Sequence, residues 1–247
     1  HSPSTMTDLY SMAVLLFYMF MLHHPLEGAI EANIKCLDGK AMEKIYGKEP
    51  IFIWDPVNKS NRPVIGYQDN AIIFWEIYPP YIKDLFMQAF TLGLHDENKR
   101  IVENQWKDAI ARLKNSIMYC NYCGAENFYD LQKVKQGQNH HCWHCKGVVA
   151  LPPRMKIGSQ LIMLNQNTQL FAHHIKNNFD FSESGIIGQI TKHPKNPNRW
   201  GLTNTGKESW TMTKPSGESV VVPSTKTAPL QTDVKINFGP VEGKINA

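Results

Sequence analysis

The chain has 247 residues, of which 42% are hydrophobic and 19% are charged, and its formal net charge is +4. This length allows two or three small domains, and the apolar content is sufficient for each of them to bury a core. The small net charge does not require a polyelectrolyte partner, but the charge is uneven: residues 1–119 carry 12 Lys and Arg against 14 Asp and Glu, whereas residues 151–247 carry 11 against six. The basic C-terminal part favours an acidic ligand.

The first predicted element is a helix over residues 7–22, which is apolar on nearly every side. A helix without a polar face is predicted to be central and buried, with Thr7 or Asp8 as its N-cap. The apolar run at 12–22 is too short to span a bilayer, and no basic secretory signal precedes it, so we predict no membrane segment. Because the chain enters this helix almost at once after His1, we interpret it as a fragment of a longer protein.

Helical patterns continue as far as residue 115. Residues 29–46, 80–92 and 99–115 have apolar side chains at helical spacing. Residues 51–53 form a short apolar run typical of a strand, and a turn-rich stretch follows it. Gly93 is predicted to end the helix at 80–92 as its C-cap.

Two Cys-x-x-Cys pairs in the middle of the chain are its clearest chemical signal. Cys120 and Cys123 form the first pair, Cys142 and Cys145 form the second, and their spacing is typical of a zinc ribbon. Each pair puts two thiolates on one side of a tight turn, so the two turns together supply the four ligands of a tetrahedral zinc site. Four protein ligands leave no open coordination position, and we therefore predict one structural zinc ion per chain. The alternative is a pair of redox dithiols or disulfides.

The remaining cysteine and the nearby histidines are not expected to be the main metal ligands. His140, His141 and His144 crowd the second pair, and one of them could replace a cysteine as ligand. We expect them instead to be exposed or to support the ligands by hydrogen bonds. Cys36 stands alone and is predicted to be a small buried or half-buried side chain. This use of cysteine indicates a reducing compartment and hence a cytoplasmic protein.

Short apolar runs separated by Asn, Gly, Pro and Ser dominate the chain after Pro152-Pro153, which marks a linker. Many short strands with turn signals between them predict an all-β sandwich. The predicted strands are 160–164, 185–191, 209–213, 219–222 and 234–238. The sequence thus predicts three domains, at 1–118, 119–150 and 151–247.

The first 115 residues resemble part of the large lobe of eukaryotic-type protein kinases. Residues 7–17 are similar to the central buried helix of that lobe, and His24-Pro25-Leu26-Glu27-Gly28 stands where kinases carry a Pro-Phe turn. Residues 85–106 are similar to the end of the lobe, and residues 29–79 correspond to an insertion. The resemblance implies a mainly helical, partial kinase lobe at 1–118.

The resemblance also implies roles for two residues. Asp8 corresponds to a buried Asp that hydrogen-bonds the catalytic loop, and Arg100 to an Arg that pairs with the Glu ending the activation segment. This chain lacks both partners, and it lacks the Gly-rich, Val-Ala-Ile-Lys, His-Arg-Asp and Asp-Phe-Gly motifs that hold ATP, magnesium and substrate. We therefore expect no catalytic residue here, and ATP and magnesium only in an intact precursor. The alternative reading makes Asp8 a helix cap and Arg100 a surface charge.

Residues 157–247 loosely resemble a forkhead-associated β-sandwich. Residues 186–190 are similar to the strand that carries Gly-Arg in such domains, but Gln189 stands where the phosphate-binding Arg is expected. A neutral amide cannot supply the charge of an Arg fork. A different anion-binding site could be formed by Lys192, His193, Lys195 and Arg199, and the alternative is a solvated basic loop.

The two resemblances, together with the order of these segments, favour a C-terminal regulatory or recognition fragment of a bacterial Ser/Thr protein kinase-like protein. Its expected partner is another protein or the upstream kinase segment. The alternatives are a non-catalytic assembly scaffold and a nucleic-acid-binding module. The latter is indicated by Tyr122, Phe128 and Trp143 and by the basic C-terminal part.

Overall fold

The computed structural model describes residues 5–176 and 185–246. The chain divides into two compact units, with the boundary between Ala111 and Arg112. Helices form the first unit, and antiparallel sheets dominate the second. The protein is therefore a mixed α and β chain, and the finer division into three domains stays a prediction.

The first unit is built from α-helices joined by turns and by short 3₁₀- and π-helical segments. The π-helix spans Lys44–Lys48, and the 3₁₀ segments span Lys59–Asn61 and Glu97–Lys99. The α-helices are α1 (Thr5–Met21), α2 (Ala29–Ala32), α3 (Gly39–Glu43), α4 (Asp69–Ile77), α5 (Pro80–Phe90), α6 (Leu92–His95) and α7 (Glu103–Asn115).

The first helix buries one stripe of its surface only. Leu9, Ala13, Phe17 and Met21 recur at the four-residue spacing of one helix face, and all four are buried. On the opposite side, apolar side chains are exposed, and Met19 retains 73% of its accessible surface. The expectation that this helix is buried all round is therefore wrong for the structure described.

An aromatic cluster forms the core of the first unit. The Phe17 ring meets those of Phe52, Phe86 and Phe90 at centroid distances of 5.7, 5.1 and 5.7 Å, and all four side chains are fully buried. Edge-to-face pairs at these distances add to the stabilisation from burial. The apolar run at 51–53 contributes Phe52 to this core. It is not a strand, because it forms no ladder with a neighbouring segment.

Three other predictions for this unit differ from the structure. The helix expected at 29–46 divides into α2, α3 and the π-helix, since the side chain of Asp38 accepts the N–H of Ala41 and starts a new helix there. The predicted C-cap, Gly93, lies inside α6 instead. Cys36 is exposed, so the expectation of a buried or half-buried thiol is wrong.

The second unit contains the strands, the end of α7 from Arg112 onward and two short helices, α8 (Leu131–Lys135) and α9 (Ala172–Ile175). The strands are β1 (Ile117–Tyr119), β2 (Glu126–Phe128), β3 (His140–His141), β4 (Val148–Val149), β5 (Arg154–Ile157), β6 (Gln160–Met163), β7 (Gln169–Phe171), β8 (Ile186–His193), β9 (Asn196–Asn204), β10 (Trp210–Thr213), β11 (Ser219–Val222), β12 (Thr227–Pro229), β13 (Lys235–Asn237) and β14 (Glu242–Asn246).

The larger strands form two antiparallel sheets around a common core. The first has the order β11-β10-β13-β14-β5-β6, and the second has the order β12-β9-β8-β7. Buried side chains from both sheets belong to one cluster, for example Met155 and Ile245 from the first and Ile190 and Leu202 from the second. The predictions of strands at 160–164, 185–191, 209–213, 219–222 and 234–238 are confirmed to within a few residues.

The remaining strands form two small hairpins within residues 117–149, which we call the cysteine-rich segment. Its core side chains, among them Met118 and Val149, pack with Met163 of β6. The cysteine-rich segment and the larger sheets therefore share packing inside the second unit. Across the described ranges, no helix is both long enough and apolar enough to cross a membrane.

Candidate metal centre

The cysteine-rich segment places each Cys-x-x-Cys pair at the turn of a hairpin. In the first hairpin, β1 pairs with β2, and the Cys120 N–H donates to the Ala125 carbonyl at 2.9 Å. In the second, β3 pairs with β4, and the Cys142 N–H donates to the Gly147 carbonyl at 2.8 Å. The two turns are thus near-copies of each other, and each holds two sulfurs on one side.

The four sulfurs converge at one point. All four Sγ atoms lie within 4.8 Å of one another. Two of the separations between the pairs are 3.5 Å, from Cys120 to Cys145, and 3.6 Å, from Cys123 to Cys142. A tetrahedron with metal–sulfur bonds of about 2.3 Å has edges of about 3.8 Å. The observed separations bracket that value, so the cluster could hold a metal ion and is compatible with zinc. The four cysteines are free thiols in the structure.

Backbone N–H groups favour the thiolate at the first cysteine of each pair. The N–H groups of Cys123 and Tyr122 lower the pKa of the Cys120 thiol. At Cys142, burial opposes ionisation, but the N–H groups of Cys145 and His144 and the Asn127 amide lower the pKa to about 6. The lowered pKa values favour the thiolate form of these two cysteines, which is the form that binds a metal.

The crowding of four thiols has the opposite effect at Cys123. The N–H of Ala125 favours its thiolate, but desolvation and the sulfurs of Cys145, Cys142 and Cys120 outweigh that bond and raise its pKa to about 12. Four negative sulfurs cannot share this volume without a compensating charge. A divalent cation supplies that charge, and the donor set thus fits a metal centre.

A residue in the left-handed conformation closes each of the two turns. Gly124 follows the first pair with a φ of 75°, and Lys146 occupies the matching place after the second pair with a φ of 61°. Gly147 serves a different purpose, because a Cβ there would lie 2.9 Å from Cδ2 of Tyr122. Its missing side chain lets the two turns approach each other.

Asn127 is a supporting residue that sequence reasoning missed. It is buried in β2, its Nδ2 donates to the Ala125 carbonyl at 2.9 Å and contacts Cys142 Sγ at 3.6 Å, and its Oδ1 accepts the Trp143 N–H at 3.1 Å. One amide therefore connects the first hairpin to the turn of the second. The only local signal is a poor strand former in the middle of a short strand.

The nearby histidines do not belong to the cluster of potential metal ligands. The ring of His140 is buried, and its Nε2 accepts the Asp130 N–H at 2.9 Å, which fixes the α8 turn. Burial lowers the pKa of this ring, which favours its neutral form. His141 pairs through Nδ1 with the Lys146 carbonyl at 3.2 Å, and His144 is exposed. The cluster of potential ligands found among the described residues consists of the four cysteines.

The kinase-related residues lie in the first unit. Asp8 is exposed within the first turn of α1, which begins at Thr5, so it is not the residue that precedes the helix. The Arg100 guanidinium donates to the carbonyls of Met6 and Gly93 and lies 5.7 Å from the centre of the Tyr10 ring. Arg100 thus ties α1 to α6, and the alternative reading as a simple surface charge is wrong. Their roles toward a catalytic loop and activation segment stay predictions.

The basic residues of the C-terminal part lie on and around the β8–β9 hairpin. Lys192, His193, Lys195 and Arg199 are all exposed, and the Lys192 ammonium lies 4.8 Å from the centre of the Trp200 ring. Since the side chains are solvated, the structure gives no preformed anion pocket at the described residues of this hairpin. Gln189 lies in the middle of β8, opposite Gln169 and Thr203.

The aromatic residues that suggested nucleic-acid binding differ in exposure. Tyr122 retains 77% of its accessible surface. Trp143 is half-buried and its indole N–H donates to the Glu126 carbonyl at 2.8 Å, and Phe128 is half-buried. One of the three is therefore fully presented to solvent.

Comparison with known proteins gives no match: no protein-family model matches the chain, and no curated protein or solved structure is significantly similar to it.

Proposed function

We propose that the cysteine-rich segment is a zinc ribbon and that its single zinc ion is structural, within a non-catalytic recognition fragment of a bacterial Ser/Thr protein kinase-like protein. The convergence of four cysteine sulfurs within 4.8 Å is the observation that carries the metal assignment. Four thiolates complete a tetrahedral shell and leave no position for substrate or water. The metal would therefore supply folding energy to the two hairpins and no chemistry of its own.

The kinase-like part of the proposal rests on the order of the motifs in residues 7–106. The β part supports recognition because it offers a scaffold of two sheets around a common core. Gln189 has no guanidinium to pair with a phosphate group. We therefore expect the β part to recognise its partner without depending on phosphothreonine. The reading frame upstream of His1 tests the assignment, since Val-Ala-Ile-Lys, His-Arg-Asp and Asp-Phe-Gly motifs should be found there in order.

Metal content provides the direct test in this chain. Protein purified without chelator should contain one zinc per chain by elemental analysis. Cys142→Ser should lose most of it, whereas Cys36→Ser, which changes an exposed cysteine outside the cluster, should keep it. Chelation should increase hydrogen exchange at residues 117–149, because metal binding and folding are coupled. Wild-type protein without stoichiometric zinc would refute the assignment, as would equal loss in both variants.

A nucleic-acid-binding module is the second candidate function, favoured by the exposed Tyr122 ring and by the basic second unit. Residues 112–247 carry 16 Lys and Arg against eight Asp and Glu. Affinity for single-stranded nucleic acid would fall steeply with rising salt, because phosphate binding releases counterions. A salt titration with a labelled oligonucleotide distinguishes this candidate from protein recognition.

A further inference from the structure

A cleft of about 830 Å³ lies within the second unit, next to the first cysteine pair. Its walls come from the end of α7, from the start of the cysteine-rich segment, from the connection at 150–153 and from the loop at 164–169. Binding sites for small ligands have volumes of about 300–1,000 Å³. The cleft therefore has the size of a binding site.

The chemistry of the lining favours a peptide. Among the described lining residues there is no carboxylate, cysteine or histidine, and Lys114 is the charged one. Most other polar side chains are neutral amides, and an amide both donates and accepts, which matches the alternating groups of a peptide backbone. These amides are Asn115, Asn121, Asn165, Gln166, Asn167 and Gln169.

The loop that presents several of these amides is fixed in place. The Thr168 N–H donates to the Asn165 carbonyl at 3.1 Å, and Asn167 has a φ of 64°, a conformation that Asn tolerates in a tight turn. Asn165 Nδ2 donates to the Ile117 carbonyl at 2.7 Å, and the Leu164 N–H donates to the Pro153 carbonyl at 2.7 Å. A preorganised loop loses little conformational entropy on binding.

The end strand of a sheet lines the same cleft. Strand β7 is the last strand of the four-stranded sheet, and the Ile190 N–H donates to the Thr168 carbonyl at 2.8 Å. Because backbone groups alternate in direction along a strand, the N–H and carbonyl of the next residue, Gln169, point away from β8. The Phe171 N–H also points away, and His174 Nδ1 accepts it at 2.9 Å. Gln169 thus offers its backbone to an added strand.

Charge favours an acidic partner. The second unit has a net charge of +8, from 16 Lys and Arg against eight Asp and Glu in residues 112–247. Lys114 lies at the cleft, with its ammonium 5.1 Å from the centre of the Phe171 ring. A negative side chain in the cleft would meet this ammonium and would be drawn toward the unit as a whole.

We propose that this cleft binds an extended, acidic peptide segment of a partner protein, which pairs with the backbone of Gln169 and places a carboxylate beside Lys114. Adding a strand to an exposed sheet edge is a common way to recognise an extended peptide. The inference rests on the proposed recognition function and assigns it a site and a class of ligand.

The experiment selects a phage-displayed library of random ten-residue peptides on the zinc-loaded chain and then titrates the best synthetic peptide by fluorescence polarisation. Enriched peptides should be rich in Asp and Glu. Lys114→Glu should weaken binding about tenfold, since it replaces an attraction by a repulsion. Lys207→Glu, the same charge reversal at an exposed position outside the cleft, should change binding less than about twofold.

Two further measurements distinguish a lost contact from misfolding of the Lys114→Glu variant. Lys114→Gln removes the charge with a smaller perturbation and should weaken binding in the same direction. N-methylation of single peptide positions, which leaves the protein unchanged, should weaken binding at the position that donates to Gln169. The inference is overturned if no peptide is enriched, if peptides bind Lys114→Glu as well as wild type, or if only an oligonucleotide binds in a Lys114-dependent way. Since zinc stoichiometry is measured on the same protein, failure here is distinct from failure of the zinc assignment.

Discussion

Acid should destabilise the second unit through one buried ring, His174. Its Nδ1 accepts the Phe171 N–H at 2.9 Å, and its Nε2 lies 3.1 Å from Asn115 Oδ1. The ring is 5% exposed. Both contacts are satisfied by the neutral ring with its proton on Nε2, so protonation of Nδ1 removes the first hydrogen bond and buries a charge.

The size of the effect follows from the pKa. Burial, together with the electrostatic effects of His173 and Lys114, lowers the pKa of His174 from 6.5 to about 3. A His whose pKa is lower in the folded state stabilises the fold fully above 6.5, and that stability is lost as the pH falls toward 3. Each pH unit in that window costs about 1.4 kcal/mol. At pH 5 the unit should therefore be about 2 kcal/mol less stable than at pH 7.5 through this residue alone.

The assay compares wild type with His174→Gln, whose amide cannot titrate, by urea unfolding at pH 7.5 and pH 5. Hydrogen exchange of peptides from β8 and β9 reports on the second unit specifically. At pH 7.5 the variant should be less stable, because Gln fills less of the site and replaces the ring contacts only in part. At pH 5 wild type should lose about 2 kcal/mol of its advantage over the variant.

The matched control is His193→Gln, which changes an exposed His on the β8–β9 hairpin. The change in its stability between the two pH values is compared with the change in His174→Gln. Other titrating groups, including His140 and the cysteines, are common to both proteins and cancel in the difference. If the wild-type advantage over His174→Gln is unchanged between pH 7.5 and pH 5, the assignment of a buried neutral ring is wrong.

Two further predictions concern connecting residues. Asn127→Ala should weaken zinc binding by about tenfold or more, measured by competition with a chelating dye, because supporting hydrogen bonds orient metal ligands. Asn121→Ala, an exposed amide of the same segment, is its control, and equal effects would contradict the reasoning. Arg100→Ala should destabilise the first unit by about 2–3 kcal/mol, since it removes two charge-assisted hydrogen bonds, and Arg100→Lys should restore only part of this. Hydrogen exchange of α1 in urea measures both, and full recovery with Lys would show that charge alone matters.

The cysteine cluster could be predicted from the sequence because its geometry is local. Each pair spans four residues, and a tight turn after the first cysteine brings both sulfurs to one side whatever the rest of the chain does. The meeting of the two pairs also needs the close approach that Gly147 allows and the connection that Asn127 makes. The short strands at 160–164 and 219–222 were predictable for a similar reason, since apolar runs between turn residues are a local pattern.

Contacts between distant segments could not be predicted in this way. His174 and Asn115 are 59 positions apart, and Asn165 and Ile117 are 48 apart. No periodicity marks such pairs, because each is fixed by the packing of whole elements. The same limit explains α1, whose uniform apolar composition could not show which stripe the aromatic core would cover.

The metal centre and the cleft belong to one packed structure. The cysteine-rich segment shares a core with β6 through Met163, and Ile117 of β1 accepts the hydrogen bond that fixes the loop at Asn165. The cleft wall therefore depends on hairpins that are too short to be stable alone. A metal that closes both hairpins would hold this wall in position without touching a ligand. Taken together, the two proposals give the bound metal a second role: it would set the shape of the cleft that binds the peptide.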